Sequence, residues 1–472
     1  MVKQISSILA EHATAVRFED LSPGAVEATK KSLLDAIGVT LAASGLGEGC
    51  KAFADLAAQA GGTPESTIIG FGKKVPAAMA ALANGAMAHA LDFEDAFDNA
   101  PIHPNAAVVA AALPVEQAVG SVSGRELIAA LATGCDLVCR LGLSLTVNPD
   151  VYGWYSPPIL GAFGATAAAA KLLKLNATQM RDAFSITLCQ ATCSSELKYS
   201  PDSMIRAVRD AFAAKAGVLA AQLAANGVKG FDHPFEGKAG FFQLYARGAY
   251  DPRTLLADLG IKYWGEEVSY KPWPSCRGTH PFIDALLALR RHHELQAGDI
   301  LEIRLSGGPL QKMLVEPLPQ KQSPATAIDA KFSLPFTAAC ALVHGAVRLD
   351  HFFLKELRNP DIARLALKVS YEVTPGKEQE WKDGVSGSTE VRTILGKVCT
   401  ARVDYALGNP RNPISYEALC EKFLLCAKHS AKQIPGQKLE SLMHSINALE
   451  SIEDIGSLID SHLYSIQRAQ PA

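Results

Sequence analysis

The chain predicts a mainly α-helical protein with a large helical domain and a smaller α/β domain. Apolar residues recur at helical spacing through almost all of residues 1–265. Alternating segments rich in β-branched residues appear only in residues 266–406, among helical stretches, which indicates a small α/β domain. Helical periodicity returns in residues 407–472, and we expect this part to pack on the first, making the helical domain discontinuous.

Capping residues mark several helix boundaries in the first part. Ser123 precedes a helical run and Glu126 stands three residues later, which is the capping-box pattern. Asn176 and Gln179 repeat this pattern further along the chain. Gly227 follows a long Ala-rich run and predicts its C-terminal end. Several of these helices are apolar on most faces, so we expect them in the interior.

The middle part contains three segments that predict strands. Residues 300–308 and 366–375 alternate clearly, and residues 391–406 are a longer β-branched run; Gly, Pro or Asp bounds each segment. Residues 280–295 and 334–347, between these segments, have helical periodicity instead. The mixture predicts helices packed on a small sheet.

The charge balance argues against a nucleic-acid or membrane partner. Lys plus Arg total 45 and Asp plus Glu total 48, and no basic run occurs, so no strong field attracts a polyanion. No segment approaches the roughly 18 uncharged apolar residues that span a bilayer. The N-terminal stretch is amphipathic and does not resemble a signal peptide. We therefore expect a soluble, cytoplasmic protein.

The sequence carries no cofactor or metal motif. It has neither a Gly-rich dinucleotide motif after a strand nor a P-loop, and no lysine motif suited to a Schiff base. The ten cysteines include no C-x-x-C pair and the histidines are scattered, so neither a zinc site nor a disulfide scaffold is predicted. We expect no cofactor and no metal.

The densest group of ionisable side chains lies in residues 84–113, between two Ala-rich runs, and includes Asp92, Asp95 and His103. Burying such groups is unfavourable unless water or a ligand forms hydrogen bonds or ion pairs with them, so this junction is the first candidate site. If one helix ends near Asp92 and His103 opens the next, both face one crevice, and the helix dipole keeps His103 neutral. Alternatively, Asp92 and Asp95 cap helices and His103 is a hydrogen-bonded corner residue.

A second candidate group lies in the segment SYKPWPSCRGTHPF. Pro272 favours an extended conformation at Lys271, which would place its ammonium group rigidly. Cys276, Arg277 and His280 precede a predicted helix, where amides and cationic side chains together favour anions. We expect these three residues to bind a substrate. The alternative is a domain-crossing loop whose charges are solvated.

These two groups resemble motifs of the MmgE/PrpD family: HALDFED followed by HPNAA, and KPWPSCRGTH. The resemblance extends over nearly the whole chain. It implies a helical domain with a smaller α/β domain, a homodimer, and chemistry on small polycarboxylates without a metal. It also implies that Asp92 and His103 line the active site, as their counterparts do in family members.

Three positions depart from the family pattern, namely Tyr155, Arg206 and Ala96. Tyr155, in GWYSPP, replaces a histidine, and a tyrosine needs a nearby cation to transfer protons near neutrality; alternatively it is a packing aromatic. Arg206 replaces a lysine, and its guanidinium suits a carboxylate clamp but not proton exchange. It could instead pair with an acidic partner in the core.

Together these residues predict abstraction of a proton next to a carboxylate. His103 is the expected base, oriented by Asp92, while Arg206, Lys271 and Arg277 neutralise the charge that develops. Because Tyr155 supplies a second proton-transfer group, an epimerase of the iminodisuccinate type is the favoured hypothesis. The alternatives are a hydro-lyase such as 2-methylcitrate dehydratase, a decarboxylase of the cis-aconitate type, and a non-catalytic protein that binds a polycarboxylate or scaffolds a partner.

Overall fold

The computed structural model of the protein describes residues 4–200, 203–376, 385–456 and 458–464. Within these ranges it contains 21 α-helices and three small β-sheets. The predicted mainly helical class with a smaller α/β part is therefore confirmed.

Twelve helices form the first part of the chain. They are α1 (Ile5–Ala15), α2 (Pro23–Leu46), α3 (Cys50–Gln59), α4 (Ala77–His89), α5 (Pro104–Val119), α6 (Gly124–Ser144), α7 (Ser156–Leu172), α8 (Ala177–Leu188), α9 (Ile205–Val208), α10 (Asp210–Ala225), α11 (Phe241–Ala246) and α12 (Pro252–Leu256). The capping boxes predicted at Ser123 and Asn176 are both present. Helix α10 ends at Ala225, and Gly227 follows with φ +86°, a left-handed conformation that suits glycine.

Glycines let the central helices α6, α7 and α10 approach one another closely. A Cβ on Gly134 of α6 would lie 2.7 Å from the carbonyl oxygen of Gly164 in α7. A Cβ on Gly217 of α10 would lie 2.7 Å from the backbone nitrogen of Thr166 in α7. Neither position has room for a side chain, so backbone-to-backbone packing in the core explains the small residues of these helices.

Helix α6 is long and apolar enough to cross a membrane by length and composition alone. However, 94% of its apolar window is buried inside the protein, as in the core helix of a globular protein. The helix also contains a buried ion pair, in which Arg140 Nε lies 2.6 Å from Asp136 Oδ2. Its apolar character therefore reflects its position in the core.

Two pairs of short strands lie outside the main sheet. Strand β1 (Ser66–Ile68) pairs with β2 (Lys73–Val75), and β3 (Ala96–Phe97) pairs with β4 (Val268–Ser269). The second pair places the segment between α4 and α5 beside the segment that contains Lys271. The two motifs of the candidate site, far apart in sequence, are thus joined by backbone hydrogen bonds.

The middle part of the chain forms helices and a four-stranded sheet. Its helices are α13 (His280–His293), α14 (Leu318–Gln322), α15 (Ala327–Lys331), α16 (Leu334–His344), α17 (Leu354–Leu357) and α18 (Pro360–Ala366). Its strands are β5 (Ile300–Gly307), β6 (Val369–Val373), β7 (Gly387–Thr393) and β8 (Val398–Val403), in the order β6-β5-β7-β8. Strand β5 is parallel to β6 and antiparallel to β7. The run 391–406 is not one strand, because the chain turns at Gly396, with φ +82°.

The last part returns to the first helices. It contains α19 (Tyr416–Ala427), α20 (Gly436–Asn447) and α21 (Leu458–Leu463). Lys422 of α19 forms a buried ion pair with Asp35 of α2, with Nζ 2.6 Å from Oδ1. A Cβ on Gly38 would lie 3.0 Å from the ring of Phe423. Helix α19 therefore packs directly on α2.

Candidate active site

A cleft lies where the segment before α5 meets the loops before α7 and α13. Its volume is about 750 Å³, including the part that is open to solvent. Four of the predicted site residues line it: His103, Tyr155, Cys276 and Arg277. The other five are buried and do not line it: Asp92, Asp95, Arg206, Lys271 and His280. The structure thus divides the predicted residues into a cleft wall and a buried layer.

Helix α4 ends at His89, and the chain turns sharply before α5 begins. Asp92 lies in this turn with φ +48°, a left-handed conformation that aspartate adopts more readily than most residues. Its N–H donates to the carbonyl oxygen of His89 at 2.7 Å. The turn brings the side chains of His89, Asp92 and Glu94 to one buried point.

His103 immediately precedes Pro104, the first residue of α5. Its Nδ1 lies 2.8 Å from the carbonyl oxygen of Asp95 and 3.1 Å from Oε1 of Glu94. Because only an N–H can donate to that carbonyl, Nδ1 carries a hydrogen and Nε2 is left to accept a proton. Burial is the main cause that lowers the pKa of His103 to about 3; Glu94 opposes this and Lys271 adds to it. His103 is therefore neutral at pH 7.

Glu94 lies between two histidines and was not predicted as a site residue. Its Oε1 contacts Nδ1 of His89 and lies 3.1 Å from Nδ1 of His103, and the two ring centroids are 5.2 Å apart. The carboxylate beside His103 is therefore that of Glu94, whereas the sequence had suggested Asp92. The signal in the sequence was weak, because Glu94 is one of several acidic residues in the same motif.

Lys271 forms a buried ion pair with Asp92. Its Nζ lies 2.5 Å from Oδ1 of Asp92, 3.1 Å from the Asp92 carbonyl oxygen and 3.9 Å from Oε1 of Glu94. Burial alone would raise the pKa of Asp92, but Lys271 holds it well below its usual range. Burial would lower the pKa of Lys271, but Asp92 and Glu94 raise it. Both groups are charged at pH 7, and neither is exposed.

Arg277 lines the cleft, but its donors are already used. Nε and Nη2 donate to the two carboxylate oxygens of Asp98 at 2.9 and 2.8 Å. Nη1 donates to the carbonyl oxygen of Leu407 at 2.7 Å, and Nη2 to that of Ala406 at 3.1 Å. Nη1 also lies 3.3 Å from Nδ1 of His280. Since a guanidinium has five N–H groups, Arg277 positions Asp98 and has none left for a ligand.

Three other predicted site residues are His280, Asp95 and Cys276, of which the first two have partners within the protein. Nε2 of His280 lies 3.1 Å from the carbonyl oxygen of Ser275. Asp95 accepts a hydrogen bond from the Asn105 amide at 2.7 Å, and burial raises the pKa of Asp95 to about 7. Burial raises the pKa of the Cys276 thiol to about 11. Cys276 is therefore a neutral thiol in the cleft wall rather than a ready nucleophile.

Tyr155 precedes α7, and two cations lie near its ring. Cζ of Arg209 lies 5.0 Å and Nζ of Lys198 lies 5.2 Å from the ring centroid. Cations at this distance are attracted to the face of an aromatic ring, so the two side chains hold the ring in place. Tyr155 lines the same cleft as His103. The two residues with potential for proton transfer therefore share one cavity.

Lys198 is a cation of the cleft wall that the sequence did not reveal. Its Nζ lies 2.5 Å from Oδ2 of Asp150, whose other oxygen accepts a hydrogen bond from Ser195. Among the described residues no second acceptor is found for Lys198, so two of its three N–H groups are available to a ligand. It stands in the polar stretch SSELKYS, where nothing distinguishes it from a solvated lysine.

Arg206 is buried and has no carboxylate partner within the described part of the chain. Its Cζ lies 3.5 Å from the ring centroid of Phe332, and Phe332 lines the cleft. Nε of Arg206 has no hydrogen-bond partner in the described structure. A buried guanidinium without a counter-charge is unfavourable unless a ligand supplies one. Because Arg206 does not line the cleft, the carboxylate clamp suggested by the residue type stays a prediction.

Four side chains have ligand atoms within 4.8 Å of one another, a grouping that could hold a metal ion: His89, Asp92, Glu94 and His103. The chain's own cations already act on this group. Lys271 lies 2.5 Å from Asp92, and Nη2 of Arg209 lies 3.4 Å from Nδ1 of His89. Both would repel a divalent cation, so the donor set does not suit one. The positive charge at this point comes from Lys271 and Arg209.

Two family models match the chain: the MmgE/PrpD N-terminal domain over residues 7–253 and the MmgE/PrpD C-terminal domain over residues 273–448. The cis-aconitate decarboxylase of Mus musculus is 26% identical over 97% of this chain and 93% of its own length. The cis-aconitate decarboxylase of Homo sapiens is 27% identical over 97% of this chain and 94% of its own length. One from Aspergillus terreus is 25% identical over 83% of both chains. The chain belongs to the MmgE/PrpD family.

Proposed function

We propose that the protein is a lyase that decarboxylates a small unsaturated polycarboxylate. The observation that carries this proposal is that His103, Tyr155 and Lys198 line one cleft. Loss of CO₂ requires carboxylate anchors and a group that protonates the carbon to which the electrons move. The cis-aconitate decarboxylases among the relatives support this reaction class.

The proposed reaction breaks the bond between the departing carboxylate and its carbon. The electron pair forms a new alkene, the original double bond shifts, and a proton is added to its far carbon. Tyr155 is the proposed donor, because a phenol carries a proton whereas Nε2 of His103 does not. Lys198, in the cleft wall, holds a remaining carboxylate. Nε2 of His103, which can accept a proton, is the proposed group through which solvent returns the proton to Tyr155.

An epimerase of the iminodisuccinate type is the second candidate. It is favoured by one observation, the presence of a neutral base, His103, and a hydroxyl donor, Tyr155, in the same cleft. Epimerisation requires two groups that remove and return a proton on opposite faces of one carbon. A hydro-lyase acting on a methylcitrate-like substrate would use the same pair, with Tyr155 protonating the departing hydroxyl.

Proton NMR in D₂O distinguishes these reactions. The purified protein is incubated with cis-aconitate, iminodisuccinate, 2-methylcitrate or citrate. A new terminal alkene with release of CO₂ supports decarboxylation. Deuterium at an α-carbon with inversion and no new alkene would instead establish epimerisation, and a new alkene without CO₂ would establish dehydration. Turnover of none of these compounds would contradict the proposed substrate class.

A His103→Ala variant separates catalysis from simple binding. We expect turnover to fall by about 10²- to 10⁴-fold, since the variant lacks the imidazole that returns a proton to Tyr155 or deprotonates the substrate. The melting temperature should remain within a few degrees of the wild type. His292→Ala, an exposed histidine in α13, is the matched control and should retain full activity. Unchanged turnover in His103→Ala would contradict a catalytic role.

The homodimer implied by the family resemblance and the cytoplasmic location expected from the sequence stay predictions. Phe212 of α10 is 50% exposed and packs edge-on against Phe53 of α3, so the helical domain has apolar surface for a second copy. Light scattering coupled to gel filtration tests this prediction. A mass of twice 50.1 kDa is expected, and a monomer would contradict it.

A further inference from the structure

Lys422 of α19 reaches from the last part of the chain to the turn between α4 and α5. Its side chain is buried, and its Nζ donates to the carbonyl oxygen of Phe93 at 2.6 Å. The same Nζ lies 2.6 Å from Oδ1 of Asp35 and 3.9 Å from the centroid of the Phe93 ring. Because Lys422 does not line the cleft, it is not an anchor for a ligand.

The carbonyl group that Lys422 binds belongs to the peptide directly before Glu94. Oε1 of Glu94 lies 3.1 Å from Nδ1 of His103. The next residue, Asp95, supplies the carbonyl oxygen that lies 2.8 Å from the same nitrogen. Both oxygens beside Nδ1 therefore come from the two residues that follow the Phe93 carbonyl. A movement of this peptide would displace both of them together.

The turn depends on contacts from other parts of the chain, because Asp92 has a left-handed conformation with φ +48°. Such a conformation persists only where the surrounding structure holds it. Two lysines bind successive carbonyl oxygens here. Lys271 donates to that of Asp92 at 3.1 Å, and Lys422 donates to that of Phe93 at 2.6 Å. One lysine precedes α13 and the other lies on α19, so two distant segments hold one turn.

We infer that Lys422 is a positioning residue for His103. Paired with Asp35, it holds the peptide between Phe93 and Glu94, and this peptide sets the two oxygens beside Nδ1. The consequence for turnover rests on the proposed function, in which His103 exchanges a proton at Nε2. The position of the hydrogen on the imidazole, by contrast, can be measured without any substrate.

A double variant, Lys422→Met with Asp35→Asn, separates positioning from stability. Lys422→Met alone leaves the Asp35 carboxylate buried without its counter-charge and should lower the melting temperature strongly. The double variant leaves no isolated charge, so much of the melting temperature should return, but the Phe93 carbonyl still lacks its donor. We expect its kcat to stay about tenfold or more below that of the wild type, with KM changed by less than about threefold. A wild-type kcat in the folded double variant would overturn the inference.

Lys30 of α2 provides a matched control. Its side chain is 4% exposed, its Nζ lies 3.1 Å from Oε1 of Glu450, and it donates to the carbonyl oxygen of Asn447 at 2.9 Å. Like Lys422, it joins α2 to the last part of the chain through a carboxylate and a carbonyl group. Neither partner belongs to the turn before α5. Lys30→Met should therefore lower the melting temperature and leave kcat unchanged.

Nitrogen-15 NMR of protein labelled at histidine reads the tautomer of His103 without substrate, and His103→Ala assigns the signal. The wild type and Lys30→Met should both carry the hydrogen on Nδ1. In the double variant the signal should shift toward the tautomer with the hydrogen on Nε2, because the two acceptors beside Nδ1 move.

The NMR result is independent of the proposed reaction. An unchanged His103 signal in the double variant would overturn the inference, whether or not the protein turns over a substrate. A shifted signal in a protein that turns over none of the tested compounds would support the positioning role and contradict the proposed function.

Discussion

Glu94, which is buried, lies directly against His103 of the cleft wall, with Oε1 of Glu94 3.1 Å from Nδ1 of His103. The same oxygen contacts Nδ1 of His89. The attraction of Glu94 opposes the fall in the pKa of His103 that burial causes. Glu94 therefore links the two imidazoles and supports the basicity of the one that faces the cleft.

Replacing Glu94 should weaken His103 as a base. In Glu94→Gln the negative charge is lost, so the pKa of His103 should fall further and the imidazole should accept a proton less readily. We expect kcat to fall by about 10- to 100-fold, whether His103 returns a proton to Tyr155 in decarboxylation or removes one from the substrate in epimerisation. Steady-state kinetics checks this. Glu421→Gln, on the exposed face of α19, should have no effect, and a Glu94→Gln enzyme of wild-type kcat would contradict the role.

Stability should decrease as the pH falls below about 6.5, the usual histidine pKa in an unfolded chain. Burial first of all lowers the pKa of His103 to about 3 in the folded protein, so between these values only the unfolded chain binds the proton. The free energy of unfolding should therefore decrease by about 1.4 kcal/mol per pH unit for this residue. Above pH 7 His103 is neutral in both the folded and the unfolded protein, so its contribution to the free energy of unfolding no longer changes with pH.

Urea denaturation of wild type and His103→Asn at pH 7, 6 and 5 measures this effect. The variant should lose less stability over this range, because it lacks the titrating imidazole. Burial also lowers the pKa of His89 well below its usual value, so some pH dependence should remain in the variant. Identical pH dependence in both proteins would contradict the assignment to His103.

Removing one partner of the buried pair should destabilise the protein strongly. Lys271→Met leaves Asp92 buried and ionised without its ammonium partner, which is expected to lower the free energy of unfolding by about 3–5 kcal/mol. The double variant Lys271→Met with Asp92→Asn should recover part of this loss, since no isolated charge remains. Urea denaturation of the three proteins checks both statements. A loss below about 1 kcal/mol in the single variant would argue against the pair.

Removing the hydroxyl of Tyr155 should affect turnover more than binding. Tyr155→Phe keeps the ring near which Arg209 and Lys198 lie, so the cleft wall should remain in place. We expect kcat to fall by about 100-fold and KM to change by less than about threefold, as for loss of a general acid. A change in KM alone would indicate a binding role instead.

Metal removal should have little effect. Lys271 and Arg209 already supply positive charge to the group formed by His89, Asp92, Glu94 and His103. After dialysis against EDTA we expect both the activity and the melting temperature to match those of untreated protein. Activity that disappears with EDTA and returns with one divalent ion would contradict this prediction.

The helices could be predicted from the sequence because their signals are local. The capping boxes at Ser123 and Asn176 and the left-handed Gly227 depend on neighbouring residues in the chain. The prediction for residues 391–406 missed the turn within this segment. Both halves of a hairpin carry the same β-branched pattern, so only the turn at Gly396 separates β7 from β8.

The sequence also identified the segments of the site, but not the pairing of their side chains. His103 was expected to be neutral through the helix dipole, whereas burial is the principal cause in the structure. Asp92 was expected beside His103, yet it lies against Lys271. Which carboxylate meets which cation depends on the pairing of β3 with β4, a contact between distant segments.

The sequence by itself determined the helical class and the two motifs, because periodicity, capping and residue type act over a few neighbouring positions. Only the tertiary structure decided which charged side chains remain available to bind a ligand. Arg277 is saturated by Asp98, by carbonyl groups and by His280, whereas Lys198 beside Asp150 has donors that no described residue uses. The physical reason is that availability depends on burial and on partners brought together by folding, and neither is encoded within a single segment of the chain.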